Sequence, residues 1–106
     1  MKKNKAVIEQ IRQLATEKLP KSVHIYLYGS RARGDSKEDS DWDILVVLDK
    51  DKIEQTDYDS VTYPLTALGW SLGEMIIPVM YTKDEWQSNS FTPFYKNVEQ
   101  EKILLV

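Results

Sequence analysis

Four residues near the middle of the chain combine side chains that bind phosphate with side chains that bind hard cations. Gly29 and Ser30 are followed by ten residues and then by Asp41, and Asp43 comes two positions later. A glycine lets the backbone approach a ligand closely, and a serine hydroxyl with free amides at a helix start binds anions such as phosphate. Two aspartates two apart on a strand project to the same face. Because Mg²⁺ binds through one or two carboxylates plus phosphate oxygens, the spacing predicts a site for Mg²⁺ bound to a nucleoside triphosphate.

Two strands and a short helix are expected to position these residues. Residues 23–28 alternate in polarity and are rich in β-forming types, which predicts a strand that stops at Gly29. A short helix is expected to begin near Ser30. Residues 42–48 are almost continuously apolar after Asp43, so they predict a central strand with both sheet faces covered.

The remaining chain is predicted to alternate helices and strands. Periodicity and capping signals indicate, in order, a helix over residues 5–19, a helix over 58–72, a strand over 75–81, a short helix after a capping box at 82–85, a helix over 92–100 and an edge strand at 103–106. Pro64 is expected to kink the second helix or to mark its start. The tryptophans at apolar positions are expected in the core: Trp42, Trp70 and Trp86. We therefore expect one α/β (α+β) domain over residues 1–106, with a small mixed or antiparallel-leaning sheet flanked by helices.

Composition and charge exclude several classes of protein. The chain has no cysteine and one histidine, which excludes disulfide frameworks and cysteine nucleophiles and argues against the usual zinc enzymes. Residues 1–34 hold eight basic and two acidic side chains, whereas residues 35–59 hold three basic and ten acidic ones. This pattern suggests a cation site beside an anion site and argues against direct nucleic-acid binding. No apolar run approaches the roughly 18–20 residues of a membrane span, so we expect no membrane contact and a cytoplasmic location.

The sequence around Gly29 and the two aspartates resembles that of a known family. The chain reads YGSRARG at residues 28–34 and DSDWDILV at residues 39–46. Gly-Ser, about ten residues, then Asp-x-Asp is the signature of the nucleotidyltransferases of the DNA polymerase β superfamily, and the chain resembles its small members, the minimal nucleotidyltransferases. The likeness is strongest over residues 26–48 and weaker over residues 78–86 and 93–98. It implies the polymerase β-like fold and nucleotidyl transfer, in which an acceptor hydroxyl attacks the α-phosphorus of a nucleoside triphosphate and pyrophosphate leaves.

The resemblance also implies roles for the motif residues. Asp41 and Asp43 are then catalytic residues that hold metal, with Mg²⁺ as the cofactor in a two-metal site. Gly29 and Ser30 then form the cradle for the β- and γ-phosphates.

Three further residues are candidates for the same site. The family supplies a third carboxylate from a later strand, and Glu74 is the only acid near the predicted third strand, so it is the candidate third catalytic carboxylate. The alternative is that Glu74 is a solvated charge. Arg31 and Arg33 are candidate nucleotide-binding residues because they follow the cradle, and exposed surface arginines are the alternative.

The short chain leaves no room for a second domain that would bind the acceptor, so we expect a partner to supply it. Minimal members of the family commonly act with a helical HEPN-type protein as the antitoxin of a toxin–antitoxin pair, and some transfer AMP to a tyrosine of that partner. The resemblance therefore implies AMP transfer from ATP to such a partner. Two alternatives stay open: a catalytically weak module that binds nucleotide or neutralises its partner by contact, and a transferase for a small molecule such as an aminoglycoside.

Overall fold

Helices and strands alternate along most of the chain in the computed structural model, which describes residues 2–106, with side chains from residue 4 onward. The elements are α1 (Lys2–Lys18), β1 (Val23–Tyr28), α2 (Ser30–Arg33), β2 (Trp42–Leu48), α3 (Gln55–Asp57), α4 (Tyr63–Leu72), β3 (Ile76–Thr82), α5 (Lys83–Ser88), α6 (Pro93–Glu101) and β4 (Ile103–Leu104). The first two predicted strands are confirmed over their full extent. None of the helices in the described part of the chain has the length and apolarity that a bilayer crossing requires.

One mixed sheet organises the molecule, with strands in the order β3-β2-β1-β4. β1 runs antiparallel to both β2 and β4, and β2 runs parallel to β3. The central position of β2 fits its sequence, since every residue from 44 to 48 is buried. The predicted small mixed sheet flanked by helices is confirmed.

Alternation along β2 assigns its residues to two faces of the sheet. Ile44 lies in a large core cluster built with α1 and α4. Its neighbour Leu45 lies in a smaller cluster with Trp86 of α5 and Val98 of α6. Because side chains alternate with period two, Asp43 shares the face of Leu45, whereas Trp42 shares the face of Ile44. The two residues therefore belong to different environments although they are adjacent in sequence.

The helix predicted over residues 58–72 begins earlier, at Gln55, and includes a π-helical segment, Tyr58–Thr62, between α3 and α4. Pro64 is the second residue of α4, directly after this wide turn. A proline lacks the N–H that a continuous α-helix needs there, and the π-helical segment accommodates this loss.

Trp70 corrects the expectation that all three tryptophans lie in the core. Trp42 and Trp86 are buried, but Trp70 is 61% exposed and meets Tyr63 edge to face on the surface of α4. The buried side of this helical segment is formed by every fourth residue: Val61, Leu65 and Gly69. Trp70 is one position beyond that stripe and therefore faces outward.

Candidate active site

Gly29 and Asp43 meet at the edge of the sheet where β1 ends and β2 begins. Tyr28 pairs with Asp43 across the two strands, so Gly29 follows directly beside the aspartate. Gly29 has φ +76°, and a Cβ atom there would lie 2.3 Å from Oδ2 of Asp43. A side chain is excluded both by the backbone angle and by the carboxylate. The missing side chain lets Asp43 stand directly over the turn into α2, where the sequence predicts the phosphate cradle.

The two aspartates differ in their surroundings. Asp41 is exposed just before β2, whereas Asp43 is partly buried within the strand. Burial raises the pKa of Asp43 above its usual value, and the negative charge of Asp41 raises it further, while Arg33 acts in the opposite direction. A carboxylate whose charge is disfavoured by its surroundings is stabilised by a bound cation. No group of three or more metal-ligating side chains forms among the described residues.

Arg33 lies at this edge and contacts a residue that the sequence did not single out, Glu101. The Nη1 group of Arg33 donates to both carboxylate oxygens of Glu101, at 3.2 and 3.1 Å, and Nε donates to Asp35 at 3.1 Å. The backbone N–H of Gly29 also donates to Glu101. One feature of the sequence could have pointed to Glu101: it is an acidic residue at the end of a helix, where the helix dipole favours cations. The structure thus brings together Gly29, Arg33, Asp43 and Glu101.

Tyr28 is a second residue of this edge that the motif did not indicate. Burial raises its pKa to about 12, with a further contribution from the nearby carboxylate of Asp43. The Tyr28 hydroxyl therefore keeps its proton at neutral pH and is a hydrogen-bond donor beside the aspartate.

Arg31 is not brought to the cradle. Its side chain is 3% exposed and lies against the ring of Trp42, with 4.6 Å from the guanidinium carbon to the ring centroid. Its Nη2 group donates to the backbone carbonyls of Glu38 and Ser40, at 3.1 and 2.9 Å, and Nη1 donates to Asn4. The guanidinium therefore holds the segment just before Asp41 from the side of the large core cluster.

Glu74 lies with Arg31 on that same side of the sheet. Its carboxylate accepts the indole N–H of Trp42 at 3.0 Å and lies 3.7 Å from Nη2 of Arg31. Since Trp42 and Asp43 face opposite sides of β2, the structure separates Glu74 from Asp43. On β3, the residue paired with Asp43 is Ile77, so the strand beside the aspartate presents no acid at this position.

Comparison with known proteins agrees with this arrangement of glycine and carboxylates. Residues 8–104 match the family model described as the nucleotidyltransferase domain. The chain is 32% identical over 105 residues to a candidate protein adenylyltransferase of Methanocaldococcus jannaschii, with 99% of each chain covered.

Solved structures share the fold at lower sequence identity. A crystal structure of a toxin–antitoxin with AMP-PNP matches with a TM-score of 0.66 at 23% identity, over 93% of this chain and 72% of that one. A structure of a tri-AMPylated Shewanella oneidensis HEPN toxin in complex with an MNT antitoxin matches with a TM-score of 0.61 at 19% identity, over 97% and 71% of the chains. The family model covers nearly the whole chain, so the resemblance seen in the motif is confirmed: this chain belongs to the nucleotidyltransferase domain family.

Proposed function

We propose that this chain transfers AMP from Mg²⁺–ATP to a hydroxyl group of a helical HEPN-type partner protein. The observation that carries the proposal is the position of Asp43, whose carboxylate stands over Gly29 at the turn into α2. A carboxylate that would hold a cation is thereby fixed beside backbone and side-chain groups that would hold phosphate.

The residues where β1 ends and β2 begins supply the phosphate-binding groups that nucleotidyl transfer requires. Gly29 and Ser30 would bind the β- and γ-phosphates, and Arg33 would pair with a phosphate oxygen. The acceptor oxygen bonds to the α-phosphorus while the bond from the α-phosphorus to the α,β-bridging oxygen breaks. Pyrophosphate leaves with that electron pair, and the hydroxyl proton passes to solvent water. The residues thus act by holding the triphosphate in line with the acceptor.

Mg²⁺ fits the donor set of Asp41 and Asp43. The ion prefers oxygen ligands and takes one or two carboxylates together with phosphate oxygens and waters. A site with two carboxylates beside a phosphate cradle therefore suits a metal that arrives with the nucleotide. When bound, the metal would neutralise charge on the attacking and leaving oxygens.

Known relatives support the choice of nucleotide and acceptor. The candidate protein adenylyltransferase of Methanocaldococcus jannaschii is similar over the whole length of this chain. Among structures with this fold, one contains AMP-PNP and another contains an AMPylated HEPN toxin. We extend both features to this chain, with ATP as the donor and a HEPN-type protein as the acceptor.

Label transfer tests the proposal directly. The chain is incubated with Mg²⁺, a helical HEPN-type protein from the same organism, and ATP labelled on either the α- or the γ-phosphate. We expect the partner to take up the α label and not the γ label. Asp43→Asn is expected to abolish the transfer, whereas Asp49→Asn removes the same charge from the far end of β2 and is expected to leave it intact. Uptake by the partner that is equal in the wild type and in Asp43→Asn would contradict the proposal.

One observation favours a second candidate, a catalytically silent antitoxin that binds nucleotide or acts by contact. Ile77 takes the position beside Asp43 on β3, and Glu74 lies on the other side of the sheet. Calorimetry with Mg²⁺–ATP in the absence of partner, combined with the label-transfer assay, separates the two. Binding that Asp41→Asn abolishes, without any transfer, would favour the silent module.

A further inference from the structure

Glu101 places a carboxylate among the groups that would bind phosphate. Its oxygens accept from the backbone N–H of Gly29 and from Nη1 of Arg33. The side chain of Glu101 is 17% exposed, so it lies against the site instead of extending into solvent. An anionic group of this chain therefore contacts both donors at once.

This position is electrostatically unfavourable apart from those two donors. Glu101 is the last residue of α6, where the helix dipole disfavours a negative charge. Its charge also acts on Asp43 in the direction that disfavours ionisation of that carboxylate. Despite both effects, the Glu101 carboxylate lies within hydrogen-bonding distance of Gly29 and Arg33, so these two groups can hold an anion.

We propose that Glu101 is a built-in occupant of the phosphate cradle, which the triphosphate must displace, so that Glu101 sets the affinity of the site for nucleotide. This inference rests on the proposed function, because it takes Gly29 and Arg33 as phosphate-binding groups. A triphosphate can bind the Gly29 amide and the Arg33 guanidinium only after the carboxylate has left them. Rotation of the Glu101 side chain would release the Gly29 amide and the Nη1 group of Arg33, while Nε of Arg33 stays with Asp35.

The size of the effect follows from the fraction of molecules in which the cradle is open. The apparent dissociation constant equals the intrinsic one divided by that fraction. With about one molecule in ten open, removal of the carboxylate tightens triphosphate binding by about tenfold, which corresponds to about 1.4 kcal/mol. A tenfold change is well within the resolution of calorimetry.

The test measures binding of inorganic tripolyphosphate in Mg²⁺ by isothermal titration calorimetry, with no nucleotide and no partner. Glu101→Gln removes the charge, Glu101→Ala removes the whole carboxylate, and Glu17→Gln removes one charge from the exposed side of α1 as the matched control. We expect about tenfold tighter binding for both Glu101 variants and wild-type binding for the control. In ¹⁵N-labelled protein without ligand, we expect the Gly29 amide proton to move upfield in Glu101→Ala, because it loses its carboxylate partner.

Each other outcome overturns the proposal in a recognisable way. Equal and measurable binding by the wild type and both Glu101 variants shows that the carboxylate does not compete, and it leaves the proposed transferase function standing. Weaker binding by the variants shows that Glu101 supports the ligand or its metal. If neither the wild type nor any variant binds tripolyphosphate, the chain has no phosphate site, and both this proposal and the proposed function are contradicted.

Discussion

Replacing Gly29 by alanine tests whether Asp43 depends on the missing side chain. The new Cβ would lie 2.3 Å from Oδ2 of Asp43, whereas ordinary contact begins at about 3.4 Å. The carboxylate must therefore retreat by about 1 Å. The backbone angle of φ +76° adds strain of about 1–3 kcal/mol for a residue with a side chain.

Two measurements separate these effects. A displacement of about 1 Å at a reacting centre costs about 100-fold in rate, so we expect the rate of AMP transfer to the partner to fall by about that factor. A loss of about 2 kcal/mol lowers the Tm of a domain of this size by about 10 °C. The transfer rate is measured well below the lowered Tm, so that the protein assayed is folded.

Gly73→Ala is the matched control. Gly73 also has a positive φ, +69°, but a Cβ atom there would meet no atom within 4 Å. We expect this variant to lose about 1–2 kcal/mol of stability and to keep its transfer activity. The reasoning is refuted if Gly29→Ala transfers AMP at a rate within about threefold of the wild type, or if Gly73→Ala loses as much activity as Gly29→Ala.

Three further predictions concern single residues around the site and the fold. Asp43→Asn should raise the Tm of the ligand-free protein at pH 7, because a raised pKa means that folding disfavours the charged carboxylate; an unchanged or lower Tm contradicts this. Arg31→Lys should lower the free energy of unfolding by about 2 kcal/mol and weaken Mg²⁺–ATP binding, because lysine cannot replace the guanidinium contacts that hold the segment before Asp41. Denaturant unfolding measures the first effect and calorimetry the second. Mg²⁺–ATP binding equal to that of the wild type would exclude a positioning role for Arg31. The pKa of Asp57 is lowered by the backbone N–H of Glu54 and by Lys50, so its stabilising contribution is present above the unfolded pKa of about 3.9 and is lost as the pH falls through the folded value. Asp57→Asn should therefore reduce the free energy of unfolding at pH 7 and make that free energy depend less on pH under acidic conditions. A fall in acid as steep as that of the wild type would contradict this.

Local sequence was sufficient to predict the pairing of the cradle with the aspartates. Gly29 directly follows β1 and Asp43 is the second residue of β2, so a single antiparallel pairing brings them together. Both strands carry strong patterns of their own, and the distance between them along the chain is short. Such features depend little on the rest of the fold.

The surroundings of the site depend on contacts between distant parts of the chain. Arg31 directly follows the cradle residue Ser30, yet its guanidinium lies against the buried ring of Trp42. A buried indole N–H needs an acceptor, and Glu74 supplies it, which explains why this acid turns away from Asp43. Glu101 reaches Gly29 across 72 positions of sequence, a contact that no local pattern encodes.

The two sides of the candidate site differ in how firmly they are held because of how β2 is built. Asp43 sits between fully buried neighbours, Trp42 and Ile44, so it cannot tilt without disturbing the core. On the other side lies the end of α6, where Val98 is the buried residue and Glu101 accepts from Gly29 and Arg33. If the proposed site binds nucleotide, we expect the end of α6 to adjust to ligands of different size, while the strand keeps Asp43 in place.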